Sequence, residues 1–168
     1  MPLQAMTKVL PPLLGSLTEI CIVTPDYRTT IDGLAHLGLG PFQVFHLNAE
    51  TCRELEFRGQ PGDFDIIACF ANQGGMAVEI MQPVSGHSLM QEYLDRNGGK
   101  PGLHHVAWGM EKGLDTKQRV QAMAGRHVKV GMRGTWIGKK GTCQVGISKT
   151  LRDNHADLFS SHSSTPKI

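Results

Sequence analysis

Pro101-Gly-Leu-His-His-Val-Ala-Trp-Gly-Met110 is a short apolar run in which two adjacent histidines follow a glycine turn. Side chains of a strand alternate between its faces, so each face receives one histidine. His105 shares its face with the small residues Ala107 and Gly109, a composition that suits a cavity wall. His104 shares the other face with bulky apolar side chains, which predicts that it packs beneath a helix.

The same stretch opens the second copy of an internal repeat. An earlier strand-like run, 17–23, carries Glu19 where the later run carries His105, an offset of 86 positions (105 minus 19). Gly38 and Gly125, which end the helices that follow, are 87 positions apart (125 minus 38). Each copy has the pattern strand, helix and three strands. The sequence therefore predicts an α+β fold with a duplicated βαβββ unit.

Turn and helix-stop signals divide the chain further. Pro11-Pro12 and Gly15-Ser16 interrupt any regular structure near the start, and Asn97-Gly98-Gly99 ends a linking helix. The predicted segments are a lead-in at 1–16, a first module at 17–84, a linking helix at 85–100, a second module at 101–160 and a tail at 161–168.

Composition excludes several classes of partner. The net charge is +2 without a dense Lys/Arg run, which argues against nucleic acid. The absence of a long apolar run argues against a membrane span, and the N-terminus lacks a signal-peptide core, so we expect a cytosolic protein. The four cysteines have no C-x-x-C spacing and are interpreted as reduced thiols. Gly-x-Gly runs lack a strand–turn–helix context, so no nucleotide or flavin is expected.

Three ionisable residues stand singly on the small faces of predicted strands: Glu19, Glu79 and His105. A lone carboxylate in an apolar strand is costly to bury unless it is paired. A solvated sheet face would explain any one of them, but the repeat favours a functional role for Glu79 and His105.

Three blocks carry a family resemblance: Val78–Pro83, Gln91–Gly98 and Gly102–Trp108. In this order they resemble the vicinal oxygen chelate superfamily, the glyoxalase and bleomycin-resistance fold, and within it the methylmalonyl-CoA epimerases. The resemblance covers about residues 17–158. It implies that the two βαβββ modules form a curved eight-stranded sheet around one cleft that holds a divalent metal.

The resemblance also implies metal ligands. The ligand positions fall on Glu19, Glu79 and His105, with a fourth near Asp157 or Ser160. The chain departs from the family twice, because Glu19 replaces a histidine and the last segment has no glutamate. This oxygen-rich set would suit Mn, Fe, Co or Mg. The alternative is that the metal has been lost.

The epimerase-like catalytic base falls near Asp63 or Asp65, although the plainer interpretation of Asp63 is a turn residue after Pro61-Gly62. Without a metal, Glu19 and Glu79 would raise each other's pKa and act with His105 as an acid/base pair. Trp136 and Arg133 lie in a Gly-rich segment that could line the cleft mouth and are candidate substrate contacts. Arg133, with Lys139 and Lys140, could form a basic patch for CoA, and the alternative for these lysines is a solvated loop.

These observations predict an enzyme, an isomerase or epimerase that forms an enolate-like intermediate on a small molecule. One alternative is a metal-independent cyclase, dehydratase or lyase that tailors a polyketide-type natural product in secondary metabolism. Another is a non-catalytic small-molecule binding protein. We expect a homodimer, and the sequence leaves open whether the modules pair within one chain or swap between two.

Overall fold

The computed structural model describes residues 13–110, 116–138, 141–149 and 159–160. Within these ranges the chain forms three helices and ten strands. The helices are α1 (Tyr27–His36), α2 (Leu89–Arg96) and α3 (Thr116–Ala124). The strands are β1 (Leu14–Val23), β2 (Gln43–Leu47), β3 (Cys52–Phe57), β4 (Gln60–Pro61), β5 (Asp65–Gln73), β6 (Met76–Ser85), β7 (Gly102–Met110), β8 (Lys129–Gly138), β9 (Gly141–Lys149) and β10 (Phe159–Ser160).

The strands form two open five-stranded sheets. Sheet 1 has the order β2-β5-β6-β1-β7, and sheet 2 has the order β10-β9-β8-β3-β4. In sheet 1, β1 runs parallel to β6 and antiparallel to β7, so the first strands of the two repeats are neighbours. Among the described strands, eight have five or more residues. The predicted α+β architecture with eight main strands is confirmed.

Sheet 1 has a buried core on each of its faces. One face packs against sheet 2, and the space between them is called the cleft below. Buried residues of the cleft include Cys21, Val23, Leu47, Cys52, Ile66, Ala68, Met81 and Met132. The other face packs against α1 through Cys69, Val78 and Ile80. Apolar side chains on both faces of sheet 1 are therefore covered, on one face by sheet 2 and on the other by α1.

Helix α2 closes one end of the cleft. The Ser88 side chain caps it by accepting a hydrogen bond from the backbone N–H of Gln91. Its buried residues are Leu89, Met90 and Leu94, the apolar stripe that the sequence predicts, and Tyr93 packs beside them. The Leu89 N–H lies 3.1 Å from the sulfur of Met132, so the helix contacts sheet 2 as well.

Strand β3 lies where the sequence predicted none. Its charged residues, Arg53, Glu54 and Glu56, mask the apolar alternation, and Glu54 has a left-handed backbone (φ 54°) at a register shift. It pairs with β8, about 80 residues away, on one side and with the two-residue strand β4 of its own module on the other. The first repeat is thus divided between the two sheets.

A short turn, residues 48–51, carries the chain from sheet 1 to sheet 2. It joins Leu47 of β2 to Cys52 of β3, and the Cys52 N–H donates to the Asn48 carbonyl at 2.8 Å. The Ile137 N–H donates to the Thr51 carbonyl at 2.9 Å, which ties the turn to β8. The two walls of the cleft are therefore connected covalently at this end.

No helix in the described part of the chain is long and apolar enough to cross a membrane. The cytosolic location, the homodimer and the segment boundaries stay predictions. The structure begins β1 at Leu14, three residues before the predicted start of the first module.

Gly86 follows β6 in a position that requires glycine. Its φ is +76°, and a Cβ there would lie 2.4 Å from the Asp63 carbonyl oxygen. We expect Gly86→Ala to lower the free energy of unfolding by about 2–4 kcal/mol, from backbone strain plus a backbone clash. The matched control is Gly75→Ala, which has a φ of +86° and open space. Comparing the free energies of unfolding of the two variants in urea separates the backbone clash from the strain of a positive φ. Equal losses of stability in both variants would contradict the clash.

Candidate functional site

Three adjacent strands of sheet 1 bring Glu79, Cys21 and His105 to one level. Cys21 of β1 is paired with Glu79 of β6 on one side and with His105 of β7 on the other. Their ligand atoms all lie within 4.8 Å of one another. The same level continues through Phe70, which pairs with Glu79. Since paired residues share a sheet face, this row faces the cleft.

Glu19 occupies the next level on the same face of β1. It pairs with Ala77 on one side and Ala107 on the other, so small neighbours leave room for its side chain. Cys21 and Glu79 are completely buried, and His105 and Glu19 are 2% and 4% exposed. The solvated-face alternative is therefore wrong for these residues.

Burial dominates the electrostatics of the carboxyl pair. Burial, followed by the charge of Glu79 and a hydrogen bond with it, raises the pKa of Glu19 to about 10. Burial raises the pKa of Glu79 to about 7, against the lowering effect of Cys21 and Glu19 as donors. Burial and the nearby Glu79 raise the pKa of the Cys21 thiol well above its usual value. At neutral pH, Glu19 is protonated and Glu79 is partly ionised.

His105 is held between two polar neighbours. Its Nε2 lies 3.5 Å from Oε2 of Glu79, and its Nδ1 lies 2.7 Å from Nδ1 of His104. The His104 ring in turn packs edge-on against Tyr93 of α2, with ring centroids 5.3 Å apart. His105 therefore faces the site while His104 packs under a helix and orients it.

The residues at this level fit a divalent metal. A thiol, a carboxylate and an imidazole are the three side chains that bind transition metals most often, and these three converge. Glu79 is fully buried, and within the described part of the chain neither of its oxygens has a hydrogen bond of ordinary geometry. A buried carboxylate in that state favours a cation beside it.

Trp136 and Arg133 both lie on β8, in the opposite wall. Trp136 contacts Phe45 of sheet 1 edge-to-face, with ring centroids 5.4 Å apart, and thus bridges the two walls. Arg133 lines an apolar pocket in the cleft, but its guanidinium forms an ion pair with Glu56, Nη2 to Oε2 2.5 Å. Its charge is thereby largely balanced.

Asp63 and Asp157 are not brought to the site by the described structure. Asp65 lies five residues along β5 from the level of Glu79, about 16 Å, and Asp63 precedes it. Asp63 is exposed and accepts a hydrogen bond from the His87 N–H at 3.3 Å, which ties the segment before β5 to the segment after β6. Asp157 and the fourth ligand position around it lie outside the described residues.

Cys21 is the site residue that sequence reasoning missed. It was interpreted as a reduced apolar thiol, and it is indeed buried and unpaired with another cysteine among the described residues. Cys21 is two residues from Glu19 on the same strand, so the sequence predicts that both side chains lie on the cleft face. Its position between Glu79 and His105 depends on the strand register, which the sequence alone does not give.

The chain belongs to the glyoxalase/bleomycin resistance protein/dioxygenase superfamily, whose family model matches residues 18–145. Comparison with curated proteins gives no match. The fold of this superfamily explains why the two repeats share a sheet.

Solved structures agree on the fold. Methylmalonyl-CoA epimerase from Mycobacterium tuberculosis is similar with a TM-score of 0.60 and 15% identity, covering 93% of each chain. A variant of 4-hydroxymandelate synthase from Streptomyces coelicolor has a TM-score of 0.59 and 12% identity, over 99% of this chain and 54% of that one. An E43Q methylmalonyl-CoA epimerase from Streptomyces coelicolor, in complex with 2-nitronate-propionyl-CoA, has a TM-score of 0.51 and 17% identity, over 90% and 99%. These neighbours are enzymes, and at such identities they show the fold alone.

The buried Glu19 makes stability depend on pH. Its folded pKa of about 10 exceeds the ordinary value of 4.5, so the folded state keeps a proton that the unfolded chain releases. Stability therefore falls as pH rises from 4.5 towards 10, by at most about 1.4 kcal/mol per pH unit.

We expect Glu19→Gln to remove this decline. The variant should match the parent near pH 4.5 and exceed its free energy of unfolding increasingly above pH 6, as followed by urea unfolding at several pH values. Glu50→Gln, at an exposed turn position, is the control and should run parallel to the parent. If the free energy of unfolding of Glu19→Gln also ran parallel to that of the parent at every pH, Glu19 would not be buried in its protonated form.

Proposed function

We propose that this protein is an isomerase or epimerase that moves a proton at a carbon next to a carbonyl, using the buried pair Glu19 and Glu79. One observation carries the proposal: two carboxyl groups share a buried position on the cleft face of sheet 1. Such a pair holds one proton firmly and exchanges another, which is the combination that general acid and base catalysis requires.

In the proposed reaction, the ionised carboxyl accepts the proton from the carbon as the C–H bond breaks. The electron pair moves onto the carbonyl oxygen, and the protonated carboxyl donates a hydrogen bond to the resulting enolate. Protonation of the same carbon from its other face by Glu19, which leaves Glu79 protonated and Glu19 ionised, inverts the centre. Return of the proton from Glu79 to a different atom isomerises the substrate. No oxidant, reductant or co-reactant is consumed.

A divalent metal is compatible with this chemistry. Cys21, Glu79 and His105 would hold it, and it would supply Lewis-acid polarisation of the substrate carbonyl. Glu19, two residues from Cys21 on the same face, is not one of these three and keeps its role as the protonated carboxyl.

The cleft favours a substrate with an apolar body. Met81 follows Glu79 by two residues on the same face and lines an apolar pocket with Leu47, Leu55, Phe64, Ile66, Met90 and Met132. Arg133 is already paired with Glu56, which weakens it as a contact for the phosphates of CoA. The apolar lining supports a carbonyl metabolite with a hydrocarbon substituent, such as a polyketide-type compound, rather than an acyl-CoA like the one in the epimerase complex.

Proton exchange in deuterated water tests the proposal. The protein should catalyse hydrogen–deuterium exchange, observed by NMR, on apolar 1,3-dicarbonyl compounds or 2-substituted thioesters. Glu19→Gln and Glu79→Gln should each reduce the rate by about 100-fold or more, while Glu50→Gln should not.

Two results would contradict the proposed enzymatic function. One is exchange that persists unchanged in both glutamine variants. The other is saturable binding, detected by quenching of tryptophan fluorescence, without any exchange. The second result would identify a small-molecule binding protein.

A further inference from the structure

We propose that the carbon from which the substrate loses its proton carries an alkyl chain of about six carbon atoms, and that this chain occupies the apolar pocket lined by Met81, Met90 and Met132. The inference rests on the proposed function, because it specifies a substituent of the same substrate. It adds a chain length to that proposal and assigns the residues that decide which substituents are accepted.

The distance between the carboxyl pair and the pocket sets the length of the chain. Met81 follows Glu79 by two residues on β6, and both are buried on the cleft face. Two residues of a strand advance about 6.7 Å. An extended polypeptide covers that distance in about six single bonds, three for each residue, and an alkyl chain does the same. A chain attached to a carbon beside Glu79 therefore reaches the pocket with about its sixth carbon atom.

The pocket is apolar and nearly filled by its own side chains. Its free space is about 20 Å³, which is room for about one water molecule. The three methionines come from β6, α2 and β8, and all of them are buried. An apolar space of this size offers a water molecule no hydrogen bonds. An alkyl chain gains from entering it, provided that the lining side chains move aside.

Methionine makes such a movement possible at little cost. Its side chain is unbranched, has three rotatable bonds and carries a polarisable sulfur, so it fills irregular spaces of differing shape. Met132 is the most firmly held of the three, because its sulfur lies 3.1 Å from the Leu89 N–H at the start of α2. We therefore expect Met132 to form a fixed wall, and Met81 and Met90 to adjust to the bound chain.

Gly134 of β8 lines the same pocket and limits its size. A Cβ at this position would lie 2.8 Å from Cδ2 of Leu55, which also lines the pocket. Because this atom is the far end of a flexible side chain, Gly134→Ala would displace Leu55 rather than the backbone. The added methyl group and the displaced Leu55 would leave less room for a chain.

A series of 3-alkylpentane-2,4-diones tests the chain length. Each compound carries its alkyl group, from methyl to octyl, on the carbon between two carbonyls. Isothermal titration calorimetry with the full-length protein gives the affinities. We expect the affinity to rise about fourfold for each added methylene as far as about the sixth carbon, and then to level off. An affinity that does not rise between methyl and hexyl would overturn the proposal.

Gly134→Ala tests where the chain lies. It should weaken binding of the hexyl compound by about tenfold and leave binding of the methyl compound unchanged, because only the longer chain reaches the pocket. The matched control is Gly33→Ala, which adds a methyl group to α1 with no atom within 4 Å and should change neither affinity. Equal weakening of both compounds by Gly134→Ala would place the chain outside the pocket.

The methyl groups of methionine, labelled with carbon-13, report on the pocket in the unmodified protein. At saturation, the hexyl compound should shift the NMR signals of Met81 and Met90 and leave that of Met123, a buried methionine of α3, in place. Single Met→Leu variants assign the signals. If the signals of Met81 and Met90 stayed in place at saturation, these residues would have no part in binding the chain.

These measurements record binding, whereas the proton-exchange assay records chemistry. If the affinity depended on chain length as expected but no deuterium entered the compounds, the proposed function would fail and the pocket assignment would stand. If the compounds exchanged deuterium but bound equally well at every chain length, the pocket assignment would fail and the proposed function would stand.

Discussion

The pairing of β1 with β6 on one side and β7 on the other is the interaction on which the rest of the structure depends. It joins the two halves of the repeat in one sheet. It also fixes the level of Cys21 against Glu79 and His105, residues that are separated by 58 (79 minus 21) and 84 (105 minus 21) positions in the sequence. Since a shift of one residue would turn every side chain to the other face, the hydrophobic pattern of β1 specifies the site as well as the core.

Much of the fold could be predicted because it rests on local patterns. The strand parity around His105, the caps and stops of the helices, and the offset between the repeats are all visible in the chain. They placed Glu19, Glu79 and His105 on the faces where the structure has them. These are short-range properties of strands and helices, and a single sequence contains them.

What could not be predicted depends on pairing between distant segments. Strand β3 is held in sheet 2 by its pairing with β8. Its charged residues break the apolar and polar alternation by which a strand is recognised in a sequence. The place of Cys21 between Glu79 and His105 follows from register alone, with an irregularity in β1–β7 pairing just after it. Asp63 is suitable by residue type, but it precedes β5, whose first residue lies about 16 Å along the strand from the level of Glu79.

The turn at 48–51 has a consequence for the layout of the cleft. It joins the two sheets at the end of the cleft where β2 pairs with the start of β5, and residues 62–64 join β4 of sheet 2 to β5 of sheet 1 at the same end. Met81 and the apolar pocket lie near this end, the Glu79 row lies further along the strands, and Glu19 lies furthest. The hydrocarbon lining and the carboxyl pair therefore follow one another along β6 and β1, so a bound molecule has to lie along these strands to contact both.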